Sequence, residues 1–368
     1  MAEACLGPEN ESQEYKELFP DFCTVWELIF TPFQGRSEKN DIMDTSALLL
    51  SCDWGSTHVR LRLVESESAA VLGEVSDARG ASTVSLGAHT PTERAMRFEE
   101  VFVELISRLE ESVSVDLALV PAVLSGMVTS AHGWCELPYA EAPVPLDGSG
   151  FLTETRKQGA RSLFFVSGVR TTCDVMRGEE TELAGLAALP DTPLSGGGET
   201  LVLLPGTHTK HVLVRDGVLA DFATHMTGEL FAVLQQHSVL RHSLGKSGDS
   251  IDEAAFSAGL EAAASGCFTQ ALFGVRVGTL LRGDSAAQSS SFVNGLLLGT
   301  ELGTLGEKLP IVLCADGCLG ALYERALQDL GFRKRVQVMA GKDLGRLAVL
   351  GHRQILLAQT RPGKESAR

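Results

Sequence analysis

The residues best suited to chemistry lie in two turns of one design, Asp53-Trp54-Gly55-Ser56-Thr57 and Pro205-Gly206-Thr207-His208-Thr209-Lys210. Each follows a short apolar run, residues 48–50 in one case and 201–204 in the other, as a strand buried on both faces requires. Glycine lets a ligand approach the backbone closely, and the N–H groups and hydroxyls beside it can cradle a phosphate. Each turn carries a cation shortly after its glycine, Arg60 in the first and Lys210 in the second. Asp53, at the mouth of a buried strand, is placed to hold a metal ion or its waters. One such turn could be an ordinary hairpin; a second copy points to a duplicated architecture holding a nucleotide.

The elements that must position these turns follow from the pattern around them. After the first turn, Val59, Leu61 and Leu63 alternate with His58, Arg60 and Arg62, so the turn closes a β-hairpin. A third strand is expected near 69–75, then a helix from 92 to about 109. That helix opens on Thr-Pro-Thr-Glu and carries the stripe Phe98, Val101, Phe102, Leu105 and Leu109. Strands at 117–124 and 162–166 and a helix over about 178–189 complete the first half, and the glycine-rich stretch 190–198 makes a linker. The second half repeats the order with strands at 201–204, 211–214 and 218–222 and a helix from about 227. A helical insertion over about 251–306 carries Phe292, Leu296 and Leu297 with Gly295 and Gly299. A strand at 311–314, a helix from about 319, a strand at 336–339 and a last helix from about 343 follow.

This alternation implies mixed sheets with helices on both faces, the organisation that actin-like ATPases and sugar kinases use in pairs. The expected fold class is therefore α/β, with two ribonuclease-H-like (actin-like ATPase) domains over 47–195 and 196–368, an interdomain cleft, and a helical insertion in the second. Residues 1–46 fall outside the pattern and are rich in acids. Only Phe19, Phe22, Trp26 and Ile29 line up at helical spacing there, with Asp21 as a candidate N-cap, so a flexible extension with one docking helix is expected.

The bulk numbers exclude several classes. A net charge of −16 over 368 residues, with no basic stripe, argues against a nucleic-acid partner. An anionic substrate would be held by a few local cations. Eight cysteines, Cys5, Cys23, Cys52, Cys135, Cys173, Cys267, Cys314 and Cys318, form no Cys-x-x-Cys pair and fit a reduced chain. No apolar run approaches the roughly 18 residues of a membrane span, and the acidic start lacks the basic region of a secretory signal. A cytoplasmic protein without membrane partners is expected, with homo-oligomerisation left open. His208 and His211 fall on opposite faces and make no metal pair. Gly245-Lys246-Ser247 ends like a P-loop, but Leu240 stands where its first glycine belongs.

Five segments in order carry a family resemblance: Asp53 to Thr57; Ser125-Gly-Met-Val-Thr-Ser-Ala-His-Gly-Trp134 with Leu137-Pro-Tyr139; Met176-Arg-Gly-Glu-Glu-Thr181; Leu204 to Lys210; and Met226-Thr-Gly-Glu-Leu230. Together they resemble 2-dehydro-3-deoxygalactonokinases from residue 48 to about 301. The last third matches in layout more than in letters, and residues 1–46 have no counterpart. The resemblance implies transfer of the ATP γ-phosphoryl, with Mg²⁺, to the 6-hydroxyl of 2-dehydro-3-deoxy-D-galactonate. The same motifs would serve a kinase of another sugar acid or hexose, or a non-catalytic binding relative.

The resemblance also implies roles. Asp53 would position Mg²⁺ while Gly55, Ser56 and Thr57 approach the transferred phosphoryl. Gly206, Thr207 and Thr209, with Lys210 as a cation, would hold the ATP phosphates. Glu179 is the expected general base, with Glu180 as the alternative because one residue rotates a helical side chain by about 100°. Arg177, Arg170 and the turn Ser125-Gly126-Met127 are candidates for the substrate carboxylate, and Trp134 for a face against the carbon chain. Thr227 and Gly228 open a helix on the substrate side. Asp316 and Gly317 occupy the place of the adenosine loop, without the usual close glycine pair.

Overall fold

Strand β1 (Leu48–Trp54) is buried along almost its whole length, which is why its sequence runs apolar without alternation. The computed structural model describes residues 47–245, 251–306 and 308–360, so the expected helix within 1–46, and Lys246 and Ser247, lie outside the described residues. The described chain divides into two units. The first holds residues up to Gly198, the segment Val214–Asp221 and residues from Gly345 on; the second holds Glu199–Leu213 and Phe222–Leu344.

In the first unit β1 is followed by β2 (Val59–Glu65), β3 (Val71–Asp77), α1 (Ala81–Ser85) and α2 (Pro91–Val113). Then come β4 (Ala122–Gly126), β5 (Ala140–Glu141), β6 (Val144–Pro145), β7 (Thr153–Gln158), β8 (Arg161–Val166), β9 (Val169–Arg170), β10 (Val175–Met176) and α3 (Glu179–Ala187). The main sheet has the order β3-β2-β1-β4-β8-β7. β2 runs antiparallel to β1 with Arg60 opposite Asp53, and β4 runs parallel to β1 with Ser125 opposite Asp53. Helix α2 starts where Thr90 accepts a hydrogen bond from the Glu93 N–H, ahead of Pro91. It buries Phe98, Val101, Phe102, Leu105, Ile106 and Leu109. These pack with Trp54, Leu61, Leu63, Leu124 and Phe165 in one core.

The second unit contains β11 (Glu199–Leu204), β12 (Thr209–Arg215), β13 (Val218–His225) and α4 (Thr227–His237). The helical insertion is α5 (Glu253–Ala264), α6 (Phe268–Val277) and α7 (Ala286–Leu302). β14 (Ile311–Cys314), α8 (Gly317–Asp329), β15 (Val336–Met339) and α9 (Gly341–Thr360) follow. Its strands stand in the order β15-β14-β11-β12-β13, with β14 parallel to both β11 and β15. Each unit thus sets three consecutive strands beside two parallel ones, which makes both ribonuclease-H-like. The far end of the β12–β13 hairpin belongs to the first unit, where β6 pairs with Val218 and Leu219.

Two glycine contacts decide how closely the helices stand. A Cβ on Gly185 of α3 would lie 1.8 Å from the Leu347 carbonyl oxygen of α9, and one on Gly351 would lie 1.9 Å from that of Thr181. In the insertion, Gly259 and Gly295 do the same for α5 and α7, at 2.2 and 2.1 Å from Phe292 and Phe256 carbonyls. The division at residue 195 read from sequence leaves the last helix in the second half. From Gly345 onward α9 instead packs in the first unit, because its glycine face seats against α3. Among the described residues no helix is long and apolar enough to cross a membrane.

Replacing Gly351 by alanine forces α3 and α9 apart and is expected to destabilise the chain by about 1–3 kcal/mol. Scanning calorimetry checks this; an unchanged melting temperature would show that the helices separate without cost.

Candidate active site

The first turn is built from its carbonyl side. Gly55 N–H closes the turn on the His58 carbonyl at 2.8 Å. The carbonyls of Gly55, Ser56 and Thr57 accept hydrogen bonds from Ala81, Ser82 and Gly80 at 2.9, 3.0 and 3.0 Å. Gly80 permits this approach, since a Cβ there would sit 2.3 Å from the Ser56 oxygen. The Trp54 indole N–H donates to the Arg79 carbonyl at 3.1 Å and pins the same segment. Ser56 and Thr57 are left exposed. Gly80 was not among the expected site residues; its only signal is a glycine just ahead of α1.

Beside this turn a cavity of ≈ 170 Å³ is lined by Asp53, Arg177, Gly178, Glu179, Glu182 and Ala348. Gly178 of this lining abuts Gly126. Gly178 has φ +119° and its nearest neighbour is the Gly126 Cα; Gly126 has φ +87° and leaves a Cβ only 2.7 Å from the Trp54 carbonyl. L side chains rarely adopt either conformation. Glu179 Oε2 accepts the Arg177 backbone N–H at 3.1 Å. Glu180 is fully buried and accepts the Gly178 N–H at 2.7 Å, turned away from the cavity lining. Glu182, three residues on and so on the same helical face as Glu179, joins the lining and was missed from sequence.

Burial and neighbouring carboxylates raise Glu180 and Glu182. Burial, then the neighbouring Glu179, pushes Glu180 up to about 8. Burial, then Asp53, Glu179 and Glu180, pushes Glu182 up to about 8 as well. Asp53 is also raised by burial, with Arg60 and Arg62 pulling the other way. Arg177 supplies the opposing charge. Its two terminal nitrogens donate to the Thr129 carbonyl and hydroxyl, each at 2.6 Å, and to the Leu137 carbonyl at 3.2 Å. Its guanidinium carbon lies 4.2 Å above the Tyr139 ring, and its buried Nε has no hydrogen-bond partner. All of these hydrogen bonds go to neutral groups, while the charge itself pulls the carboxyl of Glu180 downward.

Other expected substrate residues stand elsewhere. Ser125 is buried and its hydroxyl meets His352 Nε2 at 2.9 Å, while His352 Nδ1 meets Ser51 at 2.7 Å. Burial and Arg62 lower His352 to about 3, so it is neutral, with one ring nitrogen donating and the other accepting. Met127 packs against the core. Trp134 is a core residue rather than a face for substrate, with Phe165 at 5.3 Å, Phe102 at 5.6 Å and Trp54 at 6.5 Å. Arg170 is exposed, pairs with Glu141 and does not line the cavity.

In the second unit Gly206 faces open space. The Glu229 N–H donates to the Thr207 carbonyl at 3.0 Å, and a Cβ on Gly228 would lie 2.4 Å from the Gly206 oxygen. Gly228 therefore buttresses the second turn, and the Thr227 hydroxyl donates to buried Glu301. These two residues support the phosphate-type turn and are absent from the acceptor-sized cavity. Thr209 is buried with its hydroxyl 2.8 Å from that of Tyr323, and Lys210 is only 5% exposed. Asp316 accepts the N–H of Gly317 at 2.7 Å and that of Gly341 at 2.8 Å. Gly317 and Gly341, the first residues of α8 and α9, have φ +59° and +61°, so the Asp316 carboxylate ties the starts of two helices together.

Known proteins show what the chain is similar to. The sequence model of the 2-keto-3-deoxy-galactonokinase family matches residues 53–345. The chain is 32% identical over 305 residues to a Rhizobium meliloti protein named "Probable 2-dehydro-3-deoxygalactonokinase DgoK1", covering 80% of this chain and 93% of that one. It is 31% identical over 298 residues to the Escherichia coli 2-dehydro-3-deoxygalactonokinase, covering 78% and 91%. A crystal structure described as a "putative 2-dehydro-3-deoxygalactonokinase protein from Sinorhizobium meliloti" superposes with a TM-score of 0.70 at 30% identity, covering 84% and 98%.

A carboxyl held near 8 when folded binds a proton that the unfolded chain, with its ordinary value near 4.5, releases earlier. Stability contributed by such a group therefore falls as pH rises from about 5 to 8. Glu180→Gln keeps an acceptor for the Gly178 N–H and is expected to remove on the order of 2 kcal/mol of that loss. Melting temperatures across this range check it; a parallel decline in variant and parent would contradict it.

Proposed function

We infer the activity from one premise: the chain belongs to the 2-keto-3-deoxy-galactonokinase family. It is proposed to transfer the ATP γ-phosphoryl to the 6-hydroxyl of 2-dehydro-3-deoxy-D-galactonate, in galactonate breakdown. The observation that carries the acceptor side is a cavity that Arg177 lines together with Asp53, Glu179 and Glu182, with a guanidinium whose hydrogen bonds all go to neutral groups. A guanidinium suits a sugar-acid carboxylate and gives a plain hexose nothing to neutralise. This favours the sugar acid over the hexose reading.

In this reading the first unit takes the acceptor and the second takes ATP. Glu179 accepts the proton of the 6-hydroxyl as its oxygen bonds to the γ-phosphorus and the bond to ADP breaks. Glu180, buried and bonded to Gly178, holds the start of α3. The turn Gly55-Ser56-Thr57 receives the transferred phosphoryl. Gly206 and Thr207, with Lys210 behind them, hold the remaining phosphates, and Asp316, Gly317 and Gly341 flank the nucleoside.

Mg²⁺ fits the donor set. Asp53 and Glu182 offer hard oxygen ligands whose mutual repulsion a divalent cation would relieve. Among the described residues no group of three or more side chains could hold a metal alone, so ATP phosphates and water would complete its shell. When bound, it neutralises charge on the phosphates. Among the described residues no disulfide links the six cysteines, which fits a reducing, cytoplasmic setting.

Glu179→Gln is expected to bind ATP normally and to lose about 10²–10⁴-fold in kcat for the sugar acid. Near-parental turnover would move the base elsewhere. Arg177→Met should raise KM for the sugar acid by about tenfold or more while sparing ATP. An unchanged KM would place the carboxylate at another residue.

A further inference from the structure

One buried carboxylate takes no part in the chemistry above. Glu301, in α7, has a side chain only 1% exposed. It accepts hydrogen bonds from three side chains of three other elements. His211 Nε2 of β12 lies 2.9 Å away, the Tyr323 hydroxyl of α8 lies 3.0 Å from both oxygens, and the Thr227 hydroxyl of α4 completes the set. Burial and Glu301 itself push the Tyr323 hydroxyl well up, so it stays protonated and donates. Its own oxygen is met by Thr209 at 2.8 Å. The His211 ring is backed by that of His225, 4.2 Å between centroids.

These contacts converge on the second turn from both sides. Thr209 and His211 begin the strand that leaves it. Thr227 begins the helix whose next two residues close on it, Gly228 against the Gly206 carbonyl and Glu229 N–H on that of Thr207. A buried carboxylate is costly unless fully hydrogen-bonded, and once satisfied it fixes its donors in one arrangement. We propose that Glu301, with Tyr323, is a positioning residue that sets the Gly206-Thr207 turn in the shape that receives ATP phosphates. The proposal rests on the reading that this turn binds ATP, and it identifies what governs affinity there.

The test compares KM for MgATP and for the sugar acid in the full-length chain and three variants. Gly206→Val fills the open space at the turn and checks the underlying reading. Glu301→Gln and Tyr323→Phe check the proposal, and calorimetry confirms that each is folded. Gly206→Val should raise KM for MgATP, and Glu301→Gln and Tyr323→Phe should raise it by about tenfold, as loss of a charge-assisted hydrogen bond does. KM for the sugar acid should stay within about twofold, since the acceptor residues are not shared. If Gly206→Val weakens ATP but the folded Glu301 and Tyr323 variants do not, or if they raise both KM values alike, the positioning role is overturned and the ATP site stands. If Gly206→Val leaves ATP untouched, the site reading fails and the proposal with it. Should Glu301→Gln not fold, Tyr323→Phe, which removes one hydroxyl, decides the matter alone.

Discussion

The cavity beside Asp53 depends on how near α9 can come to α3. Gly185 and Gly351 allow backbone to meet backbone where any Cβ would fall within 2 Å of a carbonyl oxygen. That approach puts Ala348 of α9 into the same lining as Glu179 and Glu182 of α3. It also carries His352 to Ser51 and Ser125, on the two strands whose register sets Asp53 opposite Ser125. A neutral histidine between two buried hydroxyls satisfies all three groups without adding charge. Helix packing, strand register and the position of Asp53 are thus one constraint.

The second consequence is electrostatic. Three carboxylates around a small cavity repel one another, and burial adds to the cost, as the raised Glu182 shows. Folding tolerates this because Arg60 and Arg62 stand beside Asp53. In the proposed reading, a cation and an anionic substrate would relieve this repulsion, with Arg177 opposite the substrate. On that reading, a chain of net charge −16 would bind its anions through local cations rather than through its overall field. Preorganised charge of this kind is what phosphoryl transfer draws on.

Much of this was legible in the residues. β14 and β15 fall at 311–314 and 336–339 as the pattern required, and the helical insertion lies where its glycine-containing stripe placed it. Both turns were legible because apolar strands frame them. β7 was missed because Thr153–Gln158 is almost wholly polar, and α1 because five residues carry no period. Glu182 was visible only as a third acid one helical turn beyond Glu179, a spacing that also occurs on solvated faces. Gly80 and Gly341 act through backbone contacts made across many residues, which leave no local pattern. Trp134 and Ser125 were misjudged for the opposite reason: both sit in a motif, and only the packed core shows that their side chains are already engaged.

The most direct measurement is ADP release with Mg-ATP across a panel of acceptors, with the phosphorylated carbon of any product located by NMR. The panel holds 2-dehydro-3-deoxygalactonate, its gluconate epimer, galactonate and plain hexoses. Saturable turnover strongest on 2-dehydro-3-deoxygalactonate, with phosphate on carbon 6, is the predicted result. Turnover strongest on a hexose would contradict the role given to Arg177, and ATP binding without turnover on any acceptor would contradict the kinase assignment itself.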